Sequence, residues 1–121
     1  MIKENMIKEK ECIFCKIAKK EIKTENIAET NNFYAFPDAN PISKGHTLII
    51  PKKHYIDLLE IDEKLGEELL KIIKEVGEKK LKEGAEGFNL IVNTKPAAGQ
   101  VIMHLHFHII PRRKGDNVKL H

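Results

Sequence analysis

The stretch that most constrains this 121-residue chain is His104-Leu105-His106-Phe107-His108-Ile109-Ile110, where imidazoles alternate with apolar side chains. Successive side chains of an extended strand leave opposite faces. A strand here therefore presents His104, His106 and His108 on one side and Leu105, Phe107 and Ile109 on the other. One face reads as core and the other as chemistry. Alternate residues lie about 6.6 to 7 Å apart along a strand, so neighbouring imidazoles can converge on one metal ion, or on one phosphate and its leaving group. Imidazole, with an unperturbed pKa of about 6.5, is largely neutral near pH 7. It can attack phosphorus without first losing a proton, or carry a proton to a leaving group.

The remaining sequence supplies one small domain around that strand. Cys12 to Ile17 reads as a short helix. Asn26 to Thr30 and Phe33 to Phe36 read as a hairpin about Asn31-Asn32, and His46 to Ile50 as a buried strand ending at Pro51. Asp62 caps a long helix over 62–83, with Leu65, Leu69, Ile72, Ile73 and Val76 on one stripe and Gly84 at its end. Gly87 to Asn93 and Val101 to Pro111 are strands, joined by a loop of small and polar residues from Thr94 to Gly99. Five strands with one long and one short helix predict an α+β fold with an antiparallel sheet, the helices covering one face. Residues 1–10 read as a mobile charged leader and 11–121 as a single domain.

Lys and Arg number 21 against 18 Asp and Glu. The seven Lys and four Glu up to Lys23 account for the whole excess. A surplus confined to one end is not the basic face expected of a nucleic-acid binder. No apolar run approaches the roughly 18 residues of a membrane span, so the expected location is the cytoplasm. There the Cys12-x-x-Cys15 pair reads as half a metal site or a redox pair rather than a disulfide.

Four blocks in order resemble the histidine triad family, in its Hint-like branch. They are Cys12-Ile13-Phe14-Cys15-Lys16-Ile17; Phe36-Pro37-Asp38; Gly45-His46-Thr47-Leu48-Ile49-Ile50-Pro51-Lys52-Lys53-His54; and Asn93 with Gly99-Gln100 and the triad through Pro111-Arg112. The resemblance implies a nucleotide hydrolase or transferase that cleaves nucleoside monophosphates from a leaving group. Purine nucleoside phosphoramidates are the favoured substrates, through a nucleotidyl intermediate on His106. It further implies that His108 contacts the phosphoryl oxygens and that His46 stands beside the triad. Asn93, Gly99, Gln100 and the backbone of Val101 would hold the phosphate, Asp38 the ribose hydroxyls, and Ile13, Phe14, Ile17 and Phe36 the base. In zinc-bearing relatives, residues matching Cys12, Cys15, His54 and His104 form a closed structural zinc site, with no catalytic metal required.

A homodimer follows from the same resemblance, with the long helix and the strand from Phe88 to Asn93 near the two-fold axis. Val101 departs from the pattern, since many Hint-like proteins carry Ser there. A pocket wall built by a longer tail would be shortened, because the sequence ends roughly ten residues after Pro111. The alternatives are a dinucleoside polyphosphate hydrolase, a metal-dependent hydrolase and a nucleotide-binding protein without turnover.

Overall fold

The computed structural model describes residues 10–120. The expected leader, apart from Lys10, lies outside the described residues, as does His121. Five strands form one antiparallel sheet: β1 (Ala28–Glu29), β2 (Phe33–Pro37), β3 (Thr47–Pro51), β4 (Gly87–Ile91) and β5 (Phe107–Arg112), in the order β1-β2-β3-β5-β4. Helix α1 is Ile13–Ala18 and α2 is Gly66–Lys82. Asp62 accepts from Lys64 N at 2.9 Å and so caps a 3-10 turn, Glu63–Leu65, that leads into α2.

The two helices lie on opposite faces of the sheet, which corrects the one-face expectation. Phe33-Tyr34-Ala35-Phe36 and Leu48-Ile49-Ile50 are unbroken apolar runs, buried throughout. A strand of that kind needs cover on both sides. Phe33, Ala35, Ile49, Phe107 and Ile109 cluster with Ile72 and Val76 of α2. Tyr34, Phe36, Leu48 and Ile50 cluster with Phe14 and Ile17 of α1. Helix α2 crosses so near β4 that a Cβ on Gly77 would stand 2.5 Å from the Phe88 ring, a separation only glycine permits without displacing the ring.

The strand expected over Val101–Pro111 is paired only from Phe107 onward. The ladder with β3 ends at the Ile49–Phe107 pair, two residues before β3 itself ends, and the chain before Phe107 is held by the loop after β3: Leu105 N donates to Tyr55 O at 2.7 Å. The alternation of faces nevertheless continues upstream, with Leu105 in the cluster under α2 and His106 on the α1 side. At the end of β5 Arg112 is a clamp rather than a solvated cation, donating to both carboxylate oxygens of Asp116 at 2.9 Å and to Asn89 Oδ1 at 2.9 Å.

Candidate active site

The three triad imidazoles do not converge on one ion; each has its own partners. His106 Nδ1 lies 2.8 Å from the His104 carbonyl, and a carbonyl only accepts. Nδ1 therefore carries the proton, and the lone pair of the neutral ring is on Nε2. His46 is fixed by the same logic. Ile42 N–H donates to its Nδ1 at 3.2 Å, so its proton is on Nε2, which lies 3.0 Å from His108 Nδ1 and 3.3 Å from Asp38 Oδ2. With Nδ1 of His108 accepting that bond, the His108 proton sits on Nε2. The outcome is one ring with an available lone pair beside one with an available donor, their centroids 5.1 Å apart.

Burial keeps these rings uncharged near neutral pH. It lowers the pKa of His106, and it lowers that of His46 against the attraction of Asp38. His108 is pushed down to about 4, first by burial and then by its neighbours His106 and His46.

Both rings open into a cleft of about 630 Å³, within the size range of small-ligand sites. Its walls include the apolar Ile13, Phe14, Ile17 and Phe36 together with Asp38, His46, Asn93, Gly99 and Val101. Phe14 packs edge-on to His106 at 5.1 Å and to Phe36 at 5.7 Å, so the apolar wall also serves as core. Ile13 sits at the rim, half exposed, and Val101 is 86% exposed. Ile42, Ile102 and Leu120 also line the cleft, and nothing in their spacing marks them. Asp38 Oδ1 accepts from Asn40 N at 2.8 Å, which orients the carboxylate.

Gln100 differs from the expectation. It is buried, and its side chain is already committed. Oε1 accepts from Lys95 N at 2.7 Å, while Nε2 donates to Ile56 O at 2.6 Å and Ile102 O at 3.1 Å. Its amide is a clamp on the loop rather than a donor into the cleft. The N–H groups of Gly99 and Gln100 are likewise bound, to Pro96 O and Lys95 O. Among the described residues no acceptor meets the Val101 N–H. Gly99 turns the loop at φ +95°, a conformation that favours glycine.

Lys95 escaped the sequence reading altogether. Its φ of 75° and ψ of 156° fall in a region essentially reserved for glycine. Its ammonium reaches Asp57 Oδ2 at 2.6 Å, and Asp57 is buried.

His104 belongs to a separate cluster. Its Nε2–H donates to Pro51 O at 2.9 Å, which turns the Nδ1 lone pair toward Cys15 Sγ at 3.4 Å and Cys12 Sγ at 3.3 Å. His54 Nδ1 lies 3.1 Å from Cys15 Sγ. All four donor atoms fall within 4.8 Å of one another. Donors about 2.0 to 2.3 Å from a tetrahedral zinc ion stand roughly 3.3 to 3.8 Å apart, so two sulfurs and two nitrogens at these spacings fit that ion. Cys12 Sγ also accepts from Cys15 N at 3.4 Å, which orients the thiol at the start of α1.

The HIT domain family matches residues 19–115, and the chain belongs to that family. An uncharacterized HIT-like protein of Methanocaldococcus jannaschii is 46% identical over 110 residues, 87% of this chain and 81% of that one. Adenosine 5'-monophosphoramidase hnt1 of Schizosaccharomyces pombe is 41% identical over 101 residues, 84% of this chain and 74% of that one. A zinc-bound histidine triad family protein from Mycobacterium smegmatis superposes with a TM-score of 0.84 at 31% identity, over 93% of this chain and 82% of its own. No described helix is long and apolar enough to cross a membrane.

Proposed function

We propose that this chain cleaves nucleoside monophosphates from a leaving group, purine nucleoside phosphoramidates foremost, through a nucleotidyl-histidine on His106. The observation that carries the reading is the bond from His106 Nδ1 to the His104 carbonyl, which leaves the Nε2 lone pair at the cleft. Nε2 attacks the α-phosphorus, the bond from phosphorus to the leaving group breaks, and water then cleaves the N–P bond. Over both steps one water is consumed, a hydrogen ending on the leaving group and the hydroxyl on phosphorus. The Nε2–H of His108 donates to a phosphoryl oxygen as charge builds there. Asn93 and the Val101 N–H face the phosphate, Gly99 lets the backbone approach it, Asp38 accepts from the ribose, and the wall of Ile13, Phe14, Ile17 and Phe36 holds the base.

In the same reading Cys12, Cys15, His54 and His104 hold one zinc ion, supported by the donor set and by the zinc-bound mycobacterial relative. When bound, it would supply a structural cross-link between α1 and the histidine segment. A homodimer through β4 is supported by the open edge of that strand and by exposed Leu70 and Leu90. The compartment is the cytoplasm.

Turnover of adenosine 5'-phosphoramidate tests the central reading. Wild type is expected to release AMP in excess chelator, and His106→Ala to lose more than about 10³-fold in rate. Turnover abolished by the chelator would point instead to a metal-dependent hydrolase using Asp38, His46 and His108, whose donor atoms also lie within 4.8 Å of one another. A second reading, nucleotide binding without turnover, is favoured by Val101, whose side chain offers no hydroxyl at the cleft rim. It predicts AMP binding with no release of the amine. A preference for dinucleoside polyphosphates in the same assay would move the substrate class.

A further inference from the structure

A second cleft, of about 690 Å³, opens between the C-terminal half of α2, the segment before β1, and the turn at Gly45. Five cationic side chains line it, Lys44, Lys79, Lys80, Lys82 and Arg113, against two carboxylates, Glu25 and Glu83. Charges beyond Lys23 balance over the chain as a whole, so this concentration is local.

Lys80 is the informative member. It is only 6% exposed, yet among the described residues no hydrogen bond reaches its ammonium. Its ionic neighbour is Glu83 at 3.6 Å, beyond hydrogen-bond reach and itself 64% exposed. The stem is buried while Nζ itself still reaches the open space of the cleft, so three ammonium donors are held at its wall. Gly45 borders the ammonium: a Cβ there would stand 3.3 Å from Pro111 Cγ and 3.6 Å from Lys80 Nζ, and φ +88° favours glycine at that turn. Lys79 donates to the Ile27 carbonyl and so is partly engaged. Lys44, Lys82 and Arg113 have no side-chain hydrogen bond or ion pair among the described residues.

We propose that this cleft binds a small oligophosphate anion, with the charge of a pyrophosphate or triphosphate group. A concave site with a surplus of three positive charges matches an anion of three or four negative charges held in a few atoms. A duplex nucleic acid would require a stripe across the surface instead. Phosphate oxygens would also accept from the Lys80 ammonium, which the fold holds at the cleft wall without a protein hydrogen bond. The cleft shares Pro37 and His46 as a wall with the histidine cleft, but the proposal stands independently of any catalytic role for His106.

The test is calorimetric titration of the full chain with inorganic tripolyphosphate at low and moderate salt, with backbone amide shifts to locate the ligand. One ion is expected to bind per chain, more weakly as salt rises, with shifts at Gly45, Lys82 and Arg113. The Lys82→Gln/Arg113→Gln double variant should weaken binding at least tenfold, whereas Lys64→Gln/Lys74→Gln, the same charge change outside the cleft, should leave it unchanged. Equal weakening in both double variants, no binding to wild type, or shifts confined to Gly99 and His108 would each overturn the proposal.

Discussion

Replacing Lys95 by two different residues separates what its backbone costs from what its side chain contributes. Holding a side-chain-bearing residue at φ 75°, ψ 156° costs about 1 to 3 kcal/mol. It is kept there from several directions. The N–H donates to Gln100 Oε1 at 2.7 Å, the carbonyl accepts from Ala98 N at 3.0 Å and Gln100 N at 3.2 Å, and Nζ meets buried Asp57 at 2.6 Å. That last bond also holds the Asp57 carboxyl below the usual range. Lys95→Met keeps the strain and loses the ion pair. Lys95→Gly loses both, at an entropic cost of about 0.5 to 1 kcal/mol. The glycine variant should therefore be more stable than the methionine variant by about 1 kcal/mol, and by up to about 2.5 kcal/mol. Lys95 is itself 62% exposed, which screens the pair, and Asp57 retains the Leu59 N–H; losing the ammonium alone should cost no more than about 1 to 2 kcal/mol. Urea unfolding at pH 7 measures all three proteins. A methionine variant as stable as the glycine variant, or more so, would refute the idea that this loop stores backbone strain.

Other consequences are independent of that loop. Zinc content should be one per chain after dialysis against chelator-treated buffer; Cys15→Ala should lose it and drop the thermal midpoint by on the order of 10 °C, as read by metal analysis and calorimetry. Val101→Ser places a hydroxyl at the cleft rim and should raise phosphoramidate turnover about tenfold or more with little change in AMP affinity. Glu29 is held at about 2 by hydrogen bonds from Lys52 and Lys20. Because its folded pKa lies below its unfolded value of about 4.3, its contribution to stability is full above that value and is lost between there and about 2. Glu29→Gln should flatten the fall in stability over that range in urea titrations at stepped pH.

The alternating imidazoles were legible because the two faces of an extended chain are fixed by geometry. This holds even where the strand is unpaired: His104 and His106 keep to the α1 side although the ladder begins at Phe107. Where the ladder begins was not legible, since it depends on partners far away in sequence, the last being Ile49 of β3, with the Tyr55 carbonyl taking the Leu105 N–H instead. The placing of the helices was missed for a related reason. Periodicity shows that α2 has an apolar stripe but not which face of the sheet receives it; the better signal was the double-sided apolar run of β2 and β3. Gln100 next to a glycine invites reading as a ligand donor, and only the three backbone partners of its amide reveal a clamp. No local pattern marks a lysine that adopts a glycine conformation. The basic cleft was invisible for the opposite reason: Lys44, Lys80 and Arg113 are scattered in a chain whose charges otherwise balance.

The central claim is that His106 Nε2 becomes covalently nucleotidylated. The most direct measurement is a single-turnover reaction with adenosine 5'-phosphoramidate, quenched in alkali to preserve the N–P bond and mapped by peptide mass spectrometry. The account predicts one AMP on the peptide containing His106, formed and lost at rates consistent with turnover and absent from His106→Ala. AMP release with no adduct on wild type, an adduct located on His108, or wild-type turnover by His106→Ala would contradict it.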